Sequence, residues 1–291
     1  VSHASVFSEY KPLLFTIAYE ILGTVVDTED VLQDSYLRWS EVDLNSINDP
    51  RVYLARIVAR QALNRLRTTR RRRELYVGSW LPEPFVTASD VSSDATLAEA
   101  VSMAMMVVLE SLGPDERAVF LLHTIFGFSN AEIAEFTGKS EAAVRQIAHR
   151  ARTHVNSRRQ KFNPTPEDAD EIITRFLMSA NTGDFQGLMD VLAPDVVQIS
   201  DGGGKAAATR KPLVGREPVA RFAMGVVRVT APGLRAEFTR CNAMPTVVFR
   251  RAGTPTQALL FDIADGQIHA IYAVRNPDKL GNTSHHQNLT R

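Results

Sequence analysis

Residues 129–155 read SNAEIAEFTGKSEAAVRQIAHRARTHV, and no other stretch restricts the fold as much. Ser129 and Glu132 stand at capping-box spacing, which starts a helix. Ile133, Ala134 and Phe136 give that helix an apolar side. Gly138 follows in a turn, where a residue without Cβ takes positive φ at little cost. Ser140 then offers a second N-cap. Beyond it Val144, Ile147, Ala148, Ala151 and Val155 fall at i, i+3, i+4, i+7 and i+11, the period of a buried helical stripe. Glu141, Arg145, Gln146, His149 and Arg152 are left facing outward. The pattern predicts a helix-turn-helix with its second helix exposed. Arginine suits guanine edges or phosphates, and glutamine suits adenine. An ordinary helical hairpin with a solvated face has the same periodicity, so the outward donors are what favour nucleic acid.

Charge distribution supports that reading more than total charge does. Lys plus Arg and Asp plus Glu both number 33, a formal net charge of zero over 291 residues. Yet residues 51–73 hold nine arginines and no acid, and residues 139–161 hold seven basic residues against Glu141 alone. Two separated basic patches suit one extended nucleic acid, although two solvated helix faces would look alike. The single cysteine, Cys241, excludes an internal disulfide and a cysteine-cluster metal site, and fits a reducing cytoplasm. No secretory signal and no membrane span is expected. Length and composition allow two or three domains with real cores.

Along the chain, residues 6–22 carry a helical stripe that ends at Gly23. A second helix opens near Asp27 and Thr28, with Val31, Leu32, Ser35, Tyr36 and Trp39 inward and an acidic outer edge. Asp49 and Pro50 start a third, as cap and first helical residue. Its stripe is Leu54, Ile57, Val58, Ala62 and Leu66, while Arg56, Arg60, Asn64, Arg67 and Arg71 share another face. An arginine ladder beside an asparagine suits a phosphate backbone read at one base. Tyr53 is placed to stack on an unpaired base or to pack in the rim. Residues 76–84, YVGSWLPEP, are extended by their prolines, and residues 86–95 have linker composition. One helix is expected over 97–112 and another from Pro114.

The runs EDVLQDSYLRW, DPRVYLARIVARQALNRLR and LGPDERAVFLLHTIFGFSNAEIAEFTGKSEAAVRQIAHRAR, in this order and spacing, resemble an extracytoplasmic-function sigma factor over residues 5–160. The resemblance implies that Asp30, Val31, Leu32 and Gln33 dock on the clamp helices of the β′ subunit of core RNA polymerase. Tyr53, Arg56, Arg60, Asn64, Arg67 and Arg71 would melt and read the −10 promoter element, Asn64 standing where many relatives carry aspartate. Ser140, Glu141, Arg145, Gln146, His149 and Arg152 would read the −35 element, with the β flap as a further contact. Such a factor has no chemistry of its own and needs no metal or cofactor.

After a break at residues 162–166 the pattern changes. Helices over 167–181, 184–192 and 216–227 mix with strands over 196–200, 234–241, 246–250, 258–263 and 267–274, and Asp265-Gly266 signals a hairpin. Helices packed into a curved antiparallel sheet make an α+β cone. FLMSANTGDFQGLMDVLAPDVVQISDGGGK and IHAIYAVRNPDKL resemble the SnoaL-like, NTF2-like fold. The expected chain is thus multidomain: two all-α sigma domains, a region 2 bundle (1–75) and a region 4 helix-turn-helix (97–161), joined by a linker (76–96), then the cone (167–280) and a tail (281–291). The resemblance implies that the cone regulates the sigma part through Trp80, Leu81 and Pro82 of the linker. Asp201, Gly202, Gly203, Gly204 and Lys205, with Asn276, Pro277 and Asp278, would form the other side. Such folds also host isomerases and cyclases, for which Asp195, Asp201, Asp262, His269 and Tyr272 are the polar candidates. A small ligand inside the cone is a further expectation.

Overall fold

Side-chain caps fix several helix starts. In the computed structural model, which describes residues 2–87, 94–158, 166–230, 233–284 and 286–291, Ser2 caps α1 (His3–Leu22). Asp49 accepts from the Val52 amide at the start of α3 (Pro50–Glu74). Between them runs α2 (Val25–Ser40), which has no cap from its own neighbour. Glu83 of the linker accepts from the Val25 amide at 2.8 Å instead. The three helices bury Leu14, Ile17, Val31, Trp39, Leu54, Val58 and Ala62 together.

The second helical unit departs from expectation at one point. Residues 97–112 form two helices, α4 (Ala95–Val101) and α5 (Met103–Glu110). Ser102 between them is extended, and its hydroxyl accepts from the Met105 amide, so it caps α5 rather than continuing α4. Then α6 (Pro114–Phe120) leads to α7 (Asn130–Thr137) and α8 (Glu141–Arg158). The Ser129–Glu132 capping box is present, and Gly138 sits at φ 69°. Val144, Ile147, Ala148, Ala151 and Val155 are buried as their spacing predicts.

The α+β part packs α9 (Pro166–Thr182), α10 (Phe185–Val191) and α11 (Arg216–Thr230) against one face of a sheet. Its strands are β2 (Leu192–Asp201), β3 (Leu213–Val214), β4 (Leu234–Cys241), β5 (Met244–Arg251), β6 (Thr254–Ala264) and β7 (Gln267–Val274). Asp265 and Gly266 both take positive φ in the β6–β7 hairpin, as their sequence signals. Two more strands come from elsewhere. Linker residues form β1 (Val86–Thr87), antiparallel to β4, and the chain end supplies β8 (His286–Gln287), parallel to β1. The order is β3-β2-β7-β6-β5-β4-β1-β8. Linker composition at 86–87 therefore conceals strand pairing.

The outer face of this sheet is as buried as the inner one. Leu81, Val86 and Met103 cover Met244, Val248, Leu260, Tyr272 and Val274. The β4–β5 hairpin reaches further, with Ala243 and, from the chain end, Leu289 lying in the helical core. Helical units and cone thus share buried surface.

At the seam of α1 and α6, Glu20 is fully buried and neither carboxylate oxygen has a hydrogen-bond partner. Arg117 donates to the Glu20 backbone carbonyl at 2.8 Å and pairs with Glu110, as does Arg73 of α3 at 2.8 Å. Burial pushes the Glu20 carboxyl up to about 8, against the pull of Arg117. The packed chain therefore keeps this proton at neutral pH, while an unfolded chain releases it near 4.5. That contribution to stability is complete below 4.5 and is lost as pH rises through about 8. Urea midpoints measured across that range should show a fall that Glu20→Gln flattens, by at most about 1.4 kcal/mol per pH unit. An unchanged slope in the variant would assign the dependence to other groups.

Candidate nucleic-acid interface and linker clamp

The outward side of α3 carries Arg60, Asn64 and Arg67 exposed, with Tyr53 and Arg56 half-buried. The side chain of Arg71 lies outside the described residues. Tyr53 packs against Trp39 at 5.8 Å between ring centroids, and the Arg56 guanidinium stands 4.9 Å over its ring. Arg56, Arg60 and Asn64 line a groove of about 870 Å³ with Asp34, Arg38 and Gln61, and Glu135 of α7 forms part of its wall. Glu135 pairs with Arg56 at 3.6 Å. Asp115 of α6 pairs with Arg67 at 2.5 Å and with Lys139 at 2.9 Å. Burial acts to raise the Asp115 carboxyl, but hydrogen bonds from Lys139 and Arg67 hold it below the usual carboxylate range. Acids of the second helical unit thus meet two arginines of the ladder.

On α8 and its cap, Ser140, Glu141, Arg145, Gln146, His149 and Arg152 are exposed. Ser140 accepts from the Ala143 amide at 3.3 Å, Glu141 lies 3.6 Å from Arg145, and Arg152 lies 3.2 Å from His123. On α2 the four docking candidates separate. Asp30 and Gln33 are exposed, with Asp30 paired to Arg65 at 2.8 Å. Val31 and Leu32 are 3% and 2% exposed, turned into the bundle by the helical period. Their side chains hold the helix rather than face a partner.

The linker meets the cone at a buried carboxylate. Asp201, at the end of β2, has no exposure. One oxygen accepts from the Tyr76 hydroxyl at 2.7 Å, and the other accepts from the Leu81 amide at 2.9 Å and Lys279 Nζ at 2.7 Å. Lys279 also donates to the Leu81 carbonyl at 2.6 Å. Burial lowers the Lys279 ammonium to about 8, and Asp201 works in the opposite direction. Asn276 donates to the Tyr76 hydroxyl at 2.7 Å. Gly203 lies so near that a Cβ there would strike Asn276 and Tyr76. Trp80 has Arg73 4.0 Å and Lys279 4.2 Å from its ring centroid. Its edge fills the space beside Gly23, where an added Cβ would come within 2.7 Å of the indole.

Of the expected linker set, Leu81 therefore meets Asp201 directly, Gly203 and Asn276 meet the linker at Tyr76, and Trp80 packs on Lys279 instead. Pro82 and Gly202 are buried beside them in sequence. Gly204, Lys205, Pro277 and Asp278 are exposed, with Lys205 and Asp278 paired at 2.5 Å. Sequence reasoning missed Tyr76 and Lys279, although both belong to the quoted runs YVGSWLPEP and NPDKL. It also missed Asn242, which is buried at φ 53° in the β4–β5 turn. Asn242 donates to the Tyr19 hydroxyl at 2.8 Å and to the Val101 carbonyl at 3.1 Å, and accepts from the Phe85 amide at 3.3 Å. An asparagine favouring positive φ was its only local signal. Of the polar candidates for catalysis, none lines the cavity inside the cone. Asp195 is exposed and Asp201 belongs to the clamp.

Removing one partner of a buried ion pair strands the other. Asp201→Asn should lower unfolding stability by about 3 kcal/mol in a chemical melt, and adding Lys279→Met should restore part of it. A loss below about 1 kcal/mol would mean that the pair is already hydrated.

The chain is similar to known proteins over most of its length. The sigma-70 region 2 and sigma-70 region 4 family models match residues 6–72 and 102–155. The ECF RNA polymerase sigma factor SigJ of Mycobacterium tuberculosis is 38% identical over 289 residues, covering 94% of this chain and 92% of that one. A probable ECF RNA polymerase sigma factor SigI of the same species is 31% identical over 190 residues, covering 64% of this chain and 66% of the relative. The crystal structure of M. tuberculosis extracytoplasmic function sigma factor SigJ superposes with a TM-score of 0.78 at 34% identity, over 96% of this chain and 99% of that one.

Proposed function

The chain belongs to the extracytoplasmic-function RNA polymerase sigma factors, and we propose that its own C-terminal cone holds its two promoter-reading units in a restrained arrangement. Core RNA polymerase and promoter DNA are the partners that membership in this family implies. In this reading residues 1–75 and 97–161 are the two readers and 76–96 is the controlled linker. Tyr53, Arg56, Arg60, Asn64, Arg67 and Arg71 engage the −10 element. Ser140, Glu141, Arg145, Gln146, His149 and Arg152 engage the −35 element. Asp30 and Gln33 touch the β′ clamp helices, and region 4 leans on the β flap. The factor works in the cytoplasm, and the cone contributes regulation rather than catalysis.

The observation that carries this reading is the clamp on Asp201, where two linker donors, Tyr76 and Leu81, meet a cone carboxylate that Lys279 of the cone also holds. Two arginines of the α3 ladder are at the same time paired with Glu135 and Asp115. Those exposed pairs are worth about 0–1 kcal/mol each, so phosphates displace them readily. The buried clamp is the stronger restraint. Because the cone is tethered, its docking acts at an effective concentration up to roughly millimolar, and a modest contact suffices to control access.

Run-off transcription from a cognate promoter with limiting core polymerase tests the restraint. Trp80→Ala removes contacts of roughly 0.5–1 kcal/mol each and should raise transcript yield by roughly fivefold. Output equal to wild type would contradict the restraint. A gel shift separates the sigma reading from that of a self-sufficient DNA-binding regulator. Duplex should be retained only when core enzyme is added, and retention by the chain alone would favour the regulator.

A further inference from the structure

Inside the cone, between the sheet and helices α9 and α11, lies a cavity of about 310 Å³. Most of its wall is apolar, with Phe176, Phe222, Phe249 and Leu259 prominent. One end differs. Ser200, near the end of β2, and Arg275, just past β7, both line it. The Ser200 hydroxyl and the Arg275 Nε are buried and lack hydrogen-bond partners. Arg275 donates through Nη1 to the Ala207 carbonyl at 2.5 Å. Among the described residues no carboxylate lies in ion-pair contact with it. Burial works against its charge and lowers its pKa. A mostly apolar cavity lined by a few polar groups is the usual form of a small-molecule site, and here two of those groups are unsatisfied donors.

We propose that this cavity binds a small organic acid, with its apolar body against the phenylalanines and its carboxylate on Arg275 Nε and Ser200 Oγ. Both groups donate, and an anion answers a desolvated guanidinium better than a neutral oxygen does. The acid is also placed to act on the clamp. Neighbouring residues of a strand face opposite sides of a sheet. Along β2, Ser200 therefore lines the cavity while Asp201 holds the linker, and just past β7 Arg275 lines the cavity while Asn276 holds the linker. The two segments are joined, since the amides of Arg275 and Asn276 donate to the Asp201 carbonyl at 2.7 Å and 3.0 Å. An acid drawn onto Arg275 shifts the backbone that carries the clamp. This second step, unlike binding itself, rests on the regulatory reading of the clamp.

Calorimetric titration of the full chain with octanoate, and with 1-octanol as its uncharged counterpart, tests the site. Octanoate should bind one per chain and at least roughly tenfold more tightly than 1-octanol. Arg275→Gln should erase that preference and Arg275→Lys should retain it. Ala223→Trp, which places an indole on the cavity wall, should abolish binding of both probes. No saturable binding of octanoate to the wild type, equal affinity for both probes, or a preference unchanged in Arg275→Gln would overturn the site. Hydrogen exchange of the amides in residues 76–84 reads the coupling. Octanoate should alter it in the wild type and leave it alone in Arg275→Gln, whereas binding without any change there would overturn the coupling. None of these readouts uses polymerase or DNA, so their failure is distinct from failure of the sigma reading.

Discussion

The carboxylate of Asp201 is where the path of the linker is decided. A buried charge costs several kcal/mol unless its lone pairs are met, and here a hydroxyl, an amide and an ammonium meet them. Those donors come from Tyr76, Leu81 and Lys279, so satisfying one side chain fixes two points of the linker against the cone. Trp80 lies between those points, set against Arg73 of α3 and beside Gly23 at the end of α1. The chain beyond is then directed along the outer face of the sheet, where Glu83 caps α2 and Val86 joins β4. A linker whose backbone hydrogen bonds end in a sheet, and whose acid starts a helix, is a structural element of both halves.

Two kinds of contact keep the DNA-reading units together, and they differ in strength. Pairs such as Arg56–Glu135 are exposed and weakened by salt. Contacts at the clamp and around Asn242 are buried, and breaking them leaves polar groups without water. In the proposed restraint, opening is therefore governed from the side of the cone. The sheet suits that task because its two faces have different occupants. Helices and a cavity fill one, and the linker with Met103 fills the other.

Features legible in the sequence were those whose causes lie within a few residues. The Ser129–Glu132 box, Pro50 behind Asp49 and the Asp265-Gly266 turn each carry their own explanation. The meeting of the linker with the DGGGK turn was accessible through family resemblance and not through periodicity. What stayed hidden depends on distant partners. Val86 and Thr87 are too short a run to read as a strand, and their neighbours are Cys241 and His286. Ser102 breaks a helix because its hydroxyl caps the next one, an alternative that apolar spacing does not register. Asp115 and Glu135 look like ordinary surface acids until α3 is placed beside them. Asn242 gains its role only when Tyr19, Phe85 and Val101 converge on one hairpin tip.

The restraint itself is most directly measured as a distance. Leu37 on α2 and Asn156 on α8 are both exposed, and Leu37→Cys with Asn156→Cys takes spin labels selectively because the native Cys241 is buried. Pulsed electron resonance on the full chain should give one narrow distance distribution in the wild type. With Asp201→Asn it should become broad or bimodal, as the linker leaves the cone. A distribution equally narrow in both would mean that Asp201 does not hold the two readers together.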